Sequence, residues 1–544
     1  MRIADILSLA ILAVRATAQA GGNSFEPQDF NVTAALEDLG VPVATLPKPA
    51  NETSAPKRRS SSLSCSFACA SLKILFGGDS TLSEGSSAYE SFTGEYWSAQ
   101  QGALDPFCVF KPTKTSDVSV FILISRLYQC PFAVKGGGHS AWAGASSIAD
   151  GITVSMENFK QANVAADKQT VDIGPGLRWV DVYTAVEKDG LSVAGGRMAP
   201  VGVPGLVLGG GISHFATKRG WACDNVASFE LVTASGAVLD VTLESYPDLY
   251  WALRGGGNNF GVVTNFKLDA FPLGLMWGAQ RIHPESTFPA VVDAIYDFTM
   301  EGSRRDEDAA EIVTFANAPG IGKIAFALLH YAKPTGNASV FDQWNNINAI
   351  SDTSGLRPMS GMANLLNEGA PANGEYQMWG VASLKMDRDL LDFTIATFFT
   401  QEATIADVEK ILLVMAVQPI TEGALNAMQK NGGNALGLEP ENGPYFVLNF
   451  NAAWKNKDDE SKFQKVISDV ISIVKAEAKR RGVDNDFLYM NYGSQYQDPI
   501  ASYGSANQQR LISISKKYDP AQVFQLLQPG GFKLASGAPN SSPS

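Results

Sequence analysis

Val134-Lys135-Gly136-Gly137-Gly138-His139-Ser140 closes a short apolar run, Pro131 to Val134, with three consecutive glycines and a histidine. The apolar run has the composition of a short buried strand. The segment before it, Ser116 to Tyr128, carries apolar residues at helical spacing. The loop therefore sits at the end of a strand that follows a helix, where α/β folds place ligands. Glycines without Cβ atoms let the backbone turn sharply and let a ligand approach its N–H groups. By itself the stretch fits a flexible turn beside a hydrogen-bonded histidine equally well.

Two further stretches shift that balance. Gly195-Gly196-Arg197-Met198-Ala199-Pro200-Val201-Gly202-Val203-Pro204-Gly205-Leu206-Val207-Leu208-Gly209-Gly210-Gly211 holds six glycines between Gly195 and Gly210. That density argues against a packed helix or a regular strand and for backbone wrapped around a large flat or phosphorylated ligand. The third stretch, Asp248 to Thr264, contains Arg254-Gly255-Gly256-Gly257-Asn258-Asn259-Phe260-Gly261-Val262-Val263. None of the three gives the Gly-x-Gly-x-x-Gly of a dinucleotide fold. The nearest match, Gly320-Ile321-Gly322-Lys323-Ile324-Ala325, lies between two alternating runs and reads as a hairpin turn.

With 544 residues the chain is expected to form two or three domains with ample core. A net charge of −13 excludes the usual electrostatics of nucleic-acid binding. Arg2, the apolar run Ile3 to Val14 and Ala18-Gln19-Ala20 have the form of a secretory signal, too short to span a bilayer. No later segment is long and apolar enough to span either. Sequons at Asn31, Asn51, Asn337 and Asn540 agree with a secreted glycoprotein. In that compartment Cys65, Cys69, Cys108 and Cys130 are expected to form one or two disulfides, with pairing open. Cys223 reads as a buried free thiol. No histidine pattern suggests a metal site, and His214, His283 and His330 are expected to be structural.

The pattern divides the chain into a signal (1–20), a loosely ordered extension (21–63), a first domain (64–275), a second domain (276–483), a returning segment (484–535) and a tail (536–544). In the second domain, Ile324 to Leu329, Gln377 to Leu384 and Tyr445 to Phe450 read as strands. Phe288 to Met300, Ile405 to Met415 and Lys462 to Arg480 read as amphipathic helices. An antiparallel sheet covered by helices on one face follows.

The three glycine stretches, with Tyr489-Met490-Asn491-Tyr492, Arg510-Leu511, Lys517-Tyr518-Asp519-Pro520 and Val523-Phe524, resemble the berberine-bridge-enzyme-like flavoproteins of the vanillyl-alcohol-oxidase superfamily. The resemblance covers roughly 64–275 and 484–535. It implies an α+β fold: a two-part FAD-binding domain and a substrate domain roofing the flavin. It implies FAD held covalently through His139 and cradled by Lys135, Gly136, Gly137, Gly138, Ser140, Val201, Gly202, Val203, Gly205, Gly209, Gly210, Gly261, Val263 and Asn491. Relatives carry a second link from a cysteine at the position of Met198, which has no thiol, so one link is expected. The Val203 position implies a space through which oxygen reaches the flavin.

The catalytic base implied by the Tyr-x-Asn-Tyr motif is Tyr492, with Tyr489 as second candidate. Packing against the flavin is the competing role for both. Some relatives place a glutamate base on a substrate-domain strand, but Tyr445 to Phe450 has no carboxylate and presents Asn449. The expected activity is a secreted, monomeric oxidase that takes a hydride from a small alcohol, sugar or secondary metabolite and reduces oxygen to hydrogen peroxide. The alternative is a flavin-binding protein of the same fold whose catalysis has decayed.

Overall fold

The computed structural model describes residues 25–48, 61–336 and 338–540. The expected signal, the basic triplet Lys57–Arg59 and the sequons at Asn51 and Asn337 lie outside the described residues.

A first sheet holds β1 (Thr81–Ser83), β2 (Cys108–Phe110), β3 (Phe132–Lys135) and β4 (Ile152–Ser155) in the order β1-β2-β4-β3. Its last three strands are parallel. The expected helix is present at Thr115–Tyr128 and packs almost wholly into the core; Gln129 then turns the chain with φ 57° into β3. A second sheet is built from β5 (Ala162–Val164), β6 (Thr170–Ile173), β7 (Leu191–Val193), β8 (Val226–Val232), β9 (Val238–Val241) and β10 (Val262–Pro272). The Gly261 end of the third glycine stretch thus feeds directly into the long strand β10.

The third sheet contains β11 (Met276–Pro284), β12 (Ala309–Ala318), β13 (Gly322–Tyr331), β14 (Ser351–Asp352), β15 (Gly355–Arg357), β16 (Tyr376–Lys385), β17 (Lys410–Ile420), β18 (Tyr445–Trp454) and β19 (Asp484–Asn485). Its main order is β14-β11-β13-β12-β17-β18-β16-β19, all pairs antiparallel. Side chains alternate between faces. Val313, Phe315, Ala327, Leu329, Met415 and Phe450 point to one face, where helices Phe288–Asp297, Arg388–Glu402 and Glu460–Arg481 close a core. The opposite face looks toward the glycine stretches.

The structure departs from sequence expectation in three places. Ile405 to Met415 is not a helix: Lys410–Ile420 is strand β17, central in the sheet. Its apolar residues satisfy helical spacing, but pairing with β12 and β18 on both edges outweighs that local pattern. The second glycine stretch contains a short helix, Val203–Leu208, running through Gly205. The N-terminal extension is ordered where described: helix Val32–Asp38 buries Leu36, and Glu26 pairs with buried Arg126 at 2.7 Å.

The cysteine pairing left open by sequence is Cys65–Cys130 and Cys69–Cys108. Cys65 and Cys69 lie one turn apart on helix Ser61–Phe76, so both bridges fasten that helix to the first sheet. Loops of this length imply on the order of 4 kcal/mol from each closure. Cys223 is free and buried, as expected.

Candidate functional site

A cavity of about 750 Å³ lies between the glycine stretches and the open face of the third sheet. The first glycine loop forms one wall. Ser140 O accepts hydrogen bonds from Ser98 Oγ (3.0 Å) and Gln101 Nε2 (2.8 Å), which hold the loop from behind. Among the described residues, the N–H groups of Gly137, Gly138, His139 and Ser140 meet no protein acceptor. Gly138 takes φ +68°, and a Cβ on Gly137 would lie 2.5 Å from Gly202 N. The first two glycine stretches therefore touch backbone to backbone, which side chains would prevent.

His139 is enclosed beside this contact, its ring stacked on Trp97 at 4.1 Å and 16°. Burial, with Arg178 adding a smaller effect, holds its imidazole down at about 4, so it is neutral near pH 7. A neutral imidazole has the free electron pair that an attachment to a cofactor requires. Uncapped N–H groups, close-packed glycine backbone and a neutral histidine together fit FAD. Gly136–Ser140, Val201, Gly202, Gly205, Gly261 and Val263 would hold it.

The expected cofactor residues do not all reach the cavity. Gly136, Gly137, Gly138, His139, Ser140, Val201, Gly202, Gly205, Gly261, Val263 and Asn491 line it, as do Tyr489 and Tyr492. Lys135, Val203, Gly209 and Gly210 do not. Lys135 Nζ instead lies over the Phe92 ring at 4.4 Å and the Tyr96 ring at 4.8 Å. Val203 begins the short helix and is fully buried in the protein core, and its neighbour Pro204 lines the cavity wall. Gly209 makes room for the Asn491 side chain and Gly210 for the Trp221 ring, so both serve packing.

Tyr489, Asn491 and Tyr492 meet at the turn Met490–Tyr492, where the returning segment passes under the cavity. The two tyrosines are not equivalent. Tyr489 Oη accepts from Gly211 N (3.1 Å), Ile212 N (3.1 Å) and Asn491 Nδ2 (2.9 Å). Burial pushes its phenol above the usual range. Tyr489 is thereby committed to holding the end of the second glycine stretch. Tyr492 is half-buried, and its Oη accepts a 2.5 Å hydrogen bond from Arg197 Nη2.

Arg197 is not among the residues singled out by sequence, although it is the lone cation inside the second glycine stretch. Its other terminal nitrogen donates to Gln418 Oε1 on β17, and no carboxylate pairs with it among the described residues. The positive charge thus lies against the Tyr492 oxygen. Met198 lines the cavity beside it, whereas Cys223 sits in the core away from the wall.

His214 and His330, read as scattered, are brought together with ring centroids 3.8 Å apart. His214 Nε2 and both ring nitrogens of His330 lack partners. Burial holds both imidazoles down, His330 at about 3, and the Arg197 charge acts in the same direction. No metal-holding group of histidine, cysteine and carboxylate residues occurs among the described residues. Trp97 and Trp379 carry no sequence signal: Trp97 lies far upstream of His139, and Trp379 reaches the site only through strand pairing.

Residues 106–242 match the FAD binding domain family. An FAD-dependent monooxygenase of Fusarium proliferatum is 37% identical over 81% of this chain and 87% of its own length. Among solved structures, the 6-hydroxy-D-nicotine oxidase of Arthrobacter nicotinovorans superposes with a TM-score of 0.68 at 18% identity, covering 82% of this chain and 96% of that one. A berberine-bridge-enzyme-like protein of Physcomitrella patens gives 0.69 at 20% identity, covering 85% and 96%. These two likenesses concern the fold.

Proposed function

The chain belongs to the FAD-linked, berberine-bridge-enzyme-like oxidoreductases of the vanillyl-alcohol-oxidase superfamily, and from that premise we propose an oxidase in which Tyr492 is the base. FAD held by Gly136–Ser140, Val201, Gly202, Gly205, Gly261 and Val263 would supply the hydride acceptor, with molecular oxygen as the final oxidant reduced to hydrogen peroxide. The chain's own residues do the rest. Tyr492 Oη takes the proton from the substrate hydroxyl as its C–H bond breaks. Arg197, donating to that same oxygen, compensates the negative charge that appears there once Tyr492 has lost its own proton. Gln418 fixes the guanidinium from the sheet side. Tyr489 is a positioning residue, holding Gly211 and Ile212 through its hydroxyl.

The attachment of FAD is part of the same proposal: one covalent link, through His139 Nδ1 or Nε2, with Met198 unable to supply a second. Export is also part of it. It is supported by the signal-like start and by two disulfides, and no helix among the described residues is long and apolar enough to cross a membrane.

The observation that carries the reading is the Arg197–Tyr492 contact facing the same cavity as His139. Anaerobic mixing with an oxidisable alcohol should bleach the flavin, and air should restore it with one peroxide per turnover. Flavin that dithionite bleaches but no substrate does would favour the decayed, ligand-binding alternative. A second reading comes from the Fusarium relative, named a monooxygenase: one oxygen atom enters the product. Isotopically labelled oxygen separates the two, because the oxidase leaves the organic product unlabelled.

A further inference from the structure

The substrate side of the cavity is the open face of the third sheet, and its register can be read row by row. Phe326, Thr314, Ala416, Asn449 and Val381 stand abreast across five strands. In the next row stand Ile324, Ala316, Val414, Asn451 and Trp379. Apolar side chains make up most of this floor, and they end in two neighbouring asparagines on β18. Among the described residues lining the cavity, only Arg197 and Glu368 carry charge. Arg197 is already engaged by Gln418 and Tyr492, and Glu368 belongs to the loop after helix Met359–Leu365 rather than to the floor.

Three buried polar atoms on this floor have no partners. Asn449 Oδ1, Asn451 Oδ1 and Trp379 Nε1 are buried without a hydrogen bond. Leaving such groups unsatisfied is costly, so their place in a ligand cavity marks where a ligand completes them. Two amide oxygens two residues apart on one strand face accept hydrogen bonds, and the indole N–H beside them donates one. A hydroxyl can both donate to an asparagine and accept from the tryptophan. A carboxylate can only accept: it could take N–H bonds from the amide nitrogens or the indole, but it would leave both buried amide oxygens unpaired and meet no cation on the floor. A sugar carries many more hydroxyls than the apolar strands can satisfy.

We propose that the substrate is an uncharged, hydrocarbon-rich molecule with a hydroxyl read by Asn449, Asn451 and Trp379. The proposal rests on the oxidase reading for the reacting end of the molecule, which faces Tyr492. The skeleton lies over Ile324, Phe326, Val414 and Ala416.

The test is isothermal calorimetry on the FAD-loaded protein with four probes: naphthalenemethanol, naphthoate, methylnaphthalene and cellobiose. The alcohol should bind at least about tenfold more tightly than naphthoate or cellobiose. Asn449→Leu/Asn451→Leu should weaken the alcohol by about tenfold while leaving methylnaphthalene within about twofold. Where the double variant does not fold, Asn451→Leu alone, half-buried and on the cavity wall, should show the same selective loss. Naphthoate or cellobiose binding as tightly as the alcohol overturns the proposal. So does an alcohol that shows no heat up to about 1 mM. Flavin bleaching is read separately: an alcohol that binds but never bleaches the flavin removes the oxidase reading alone. Cellobiose that bleaches it removes this inference alone.

Discussion

Arg197→Met separates a charge that serves chemistry from one that serves the fold. Arg197 donates to Tyr492 Oη at 2.5 Å and to Gln418 Oε1, with no carboxylate partner among the described residues. Methionine keeps the length and much of the volume while removing both donors and the charge. A hydrogen bond from a charged donor contributes about 1.5–3 kcal/mol. If that contribution is realised when Tyr492 carries negative charge, flavin reduction should slow by about 10–150-fold. Stability should move the other way or not at all, because a half-buried cation without an anion is costly to hold. Arg197→Lys keeps the charge but lacks the fork that spans Gln418 and Tyr492, and should fall between. The assay is anaerobic stopped-flow bleaching of the flavin, with thermal melting and bound flavin measured on the same preparations. A variant that reduces its flavin at the parent rate, or whose rate loss is matched by lost flavin and lowered melting temperature, refutes a role on Tyr492.

Tyr492→Phe should retain flavin and fold but lose about 10²–10⁴-fold in reduction rate, whereas Tyr489→Phe, which strips the acceptor from the two buried N–H groups of Gly211 and Ile212, should lower the melting temperature and loosen the flavin; equal phenotypes contradict the division of roles. Gly137→Ala should fail to load flavin, because its Cβ would lie 2.5 Å from Gly202 N and backbone cannot swing aside; absorbance of the purified variant at flavin wavelengths decides it. His330, held at about 3 by burial against about 6.5 when unfolded, binds fewer protons in the folded state. Its contribution is therefore complete above about pH 6.5 and lost as pH falls toward 3, by about 3 kcal/mol at pH 4. His330→Phe should flatten the urea-midpoint curve between about pH 6.5 and 4, and an unchanged slope counts against it.

The glycine stretches were legible because their chemistry is local: Gly137 and Gly202 must lack side chains wherever the two loops meet. The helix Thr115–Tyr128 and the strands β13, β16 and β18 were legible from periodicity. Strand β17 was not, because its place between β12 and β18 comes from long-range pairing that its own spacing does not encode. Val203 misled for a related reason. Its neighbours line the cavity, but the helix it begins turns its side chain into the core and Pro204 outward. Arg197, Gln418 and Tyr492 come from three separate parts of the chain, so no local motif announces their contact. The disulfide pairing was not legible, because it depends on which face of helix Ser61–Phe76 meets Cys130, just before β3, and which meets Cys108 in β2.

The central claim is that FAD sits in the cavity between the glycine stretches, bound once, through His139. Acid precipitation followed by proteolysis and mass spectrometry of the flavin-bearing peptide addresses it directly. The account predicts flavin on a single peptide containing His139, and free FAD released by acid from His139→Ala. Flavin on a peptide containing Cys223, or flavin that stays attached in His139→Ala, contradicts it.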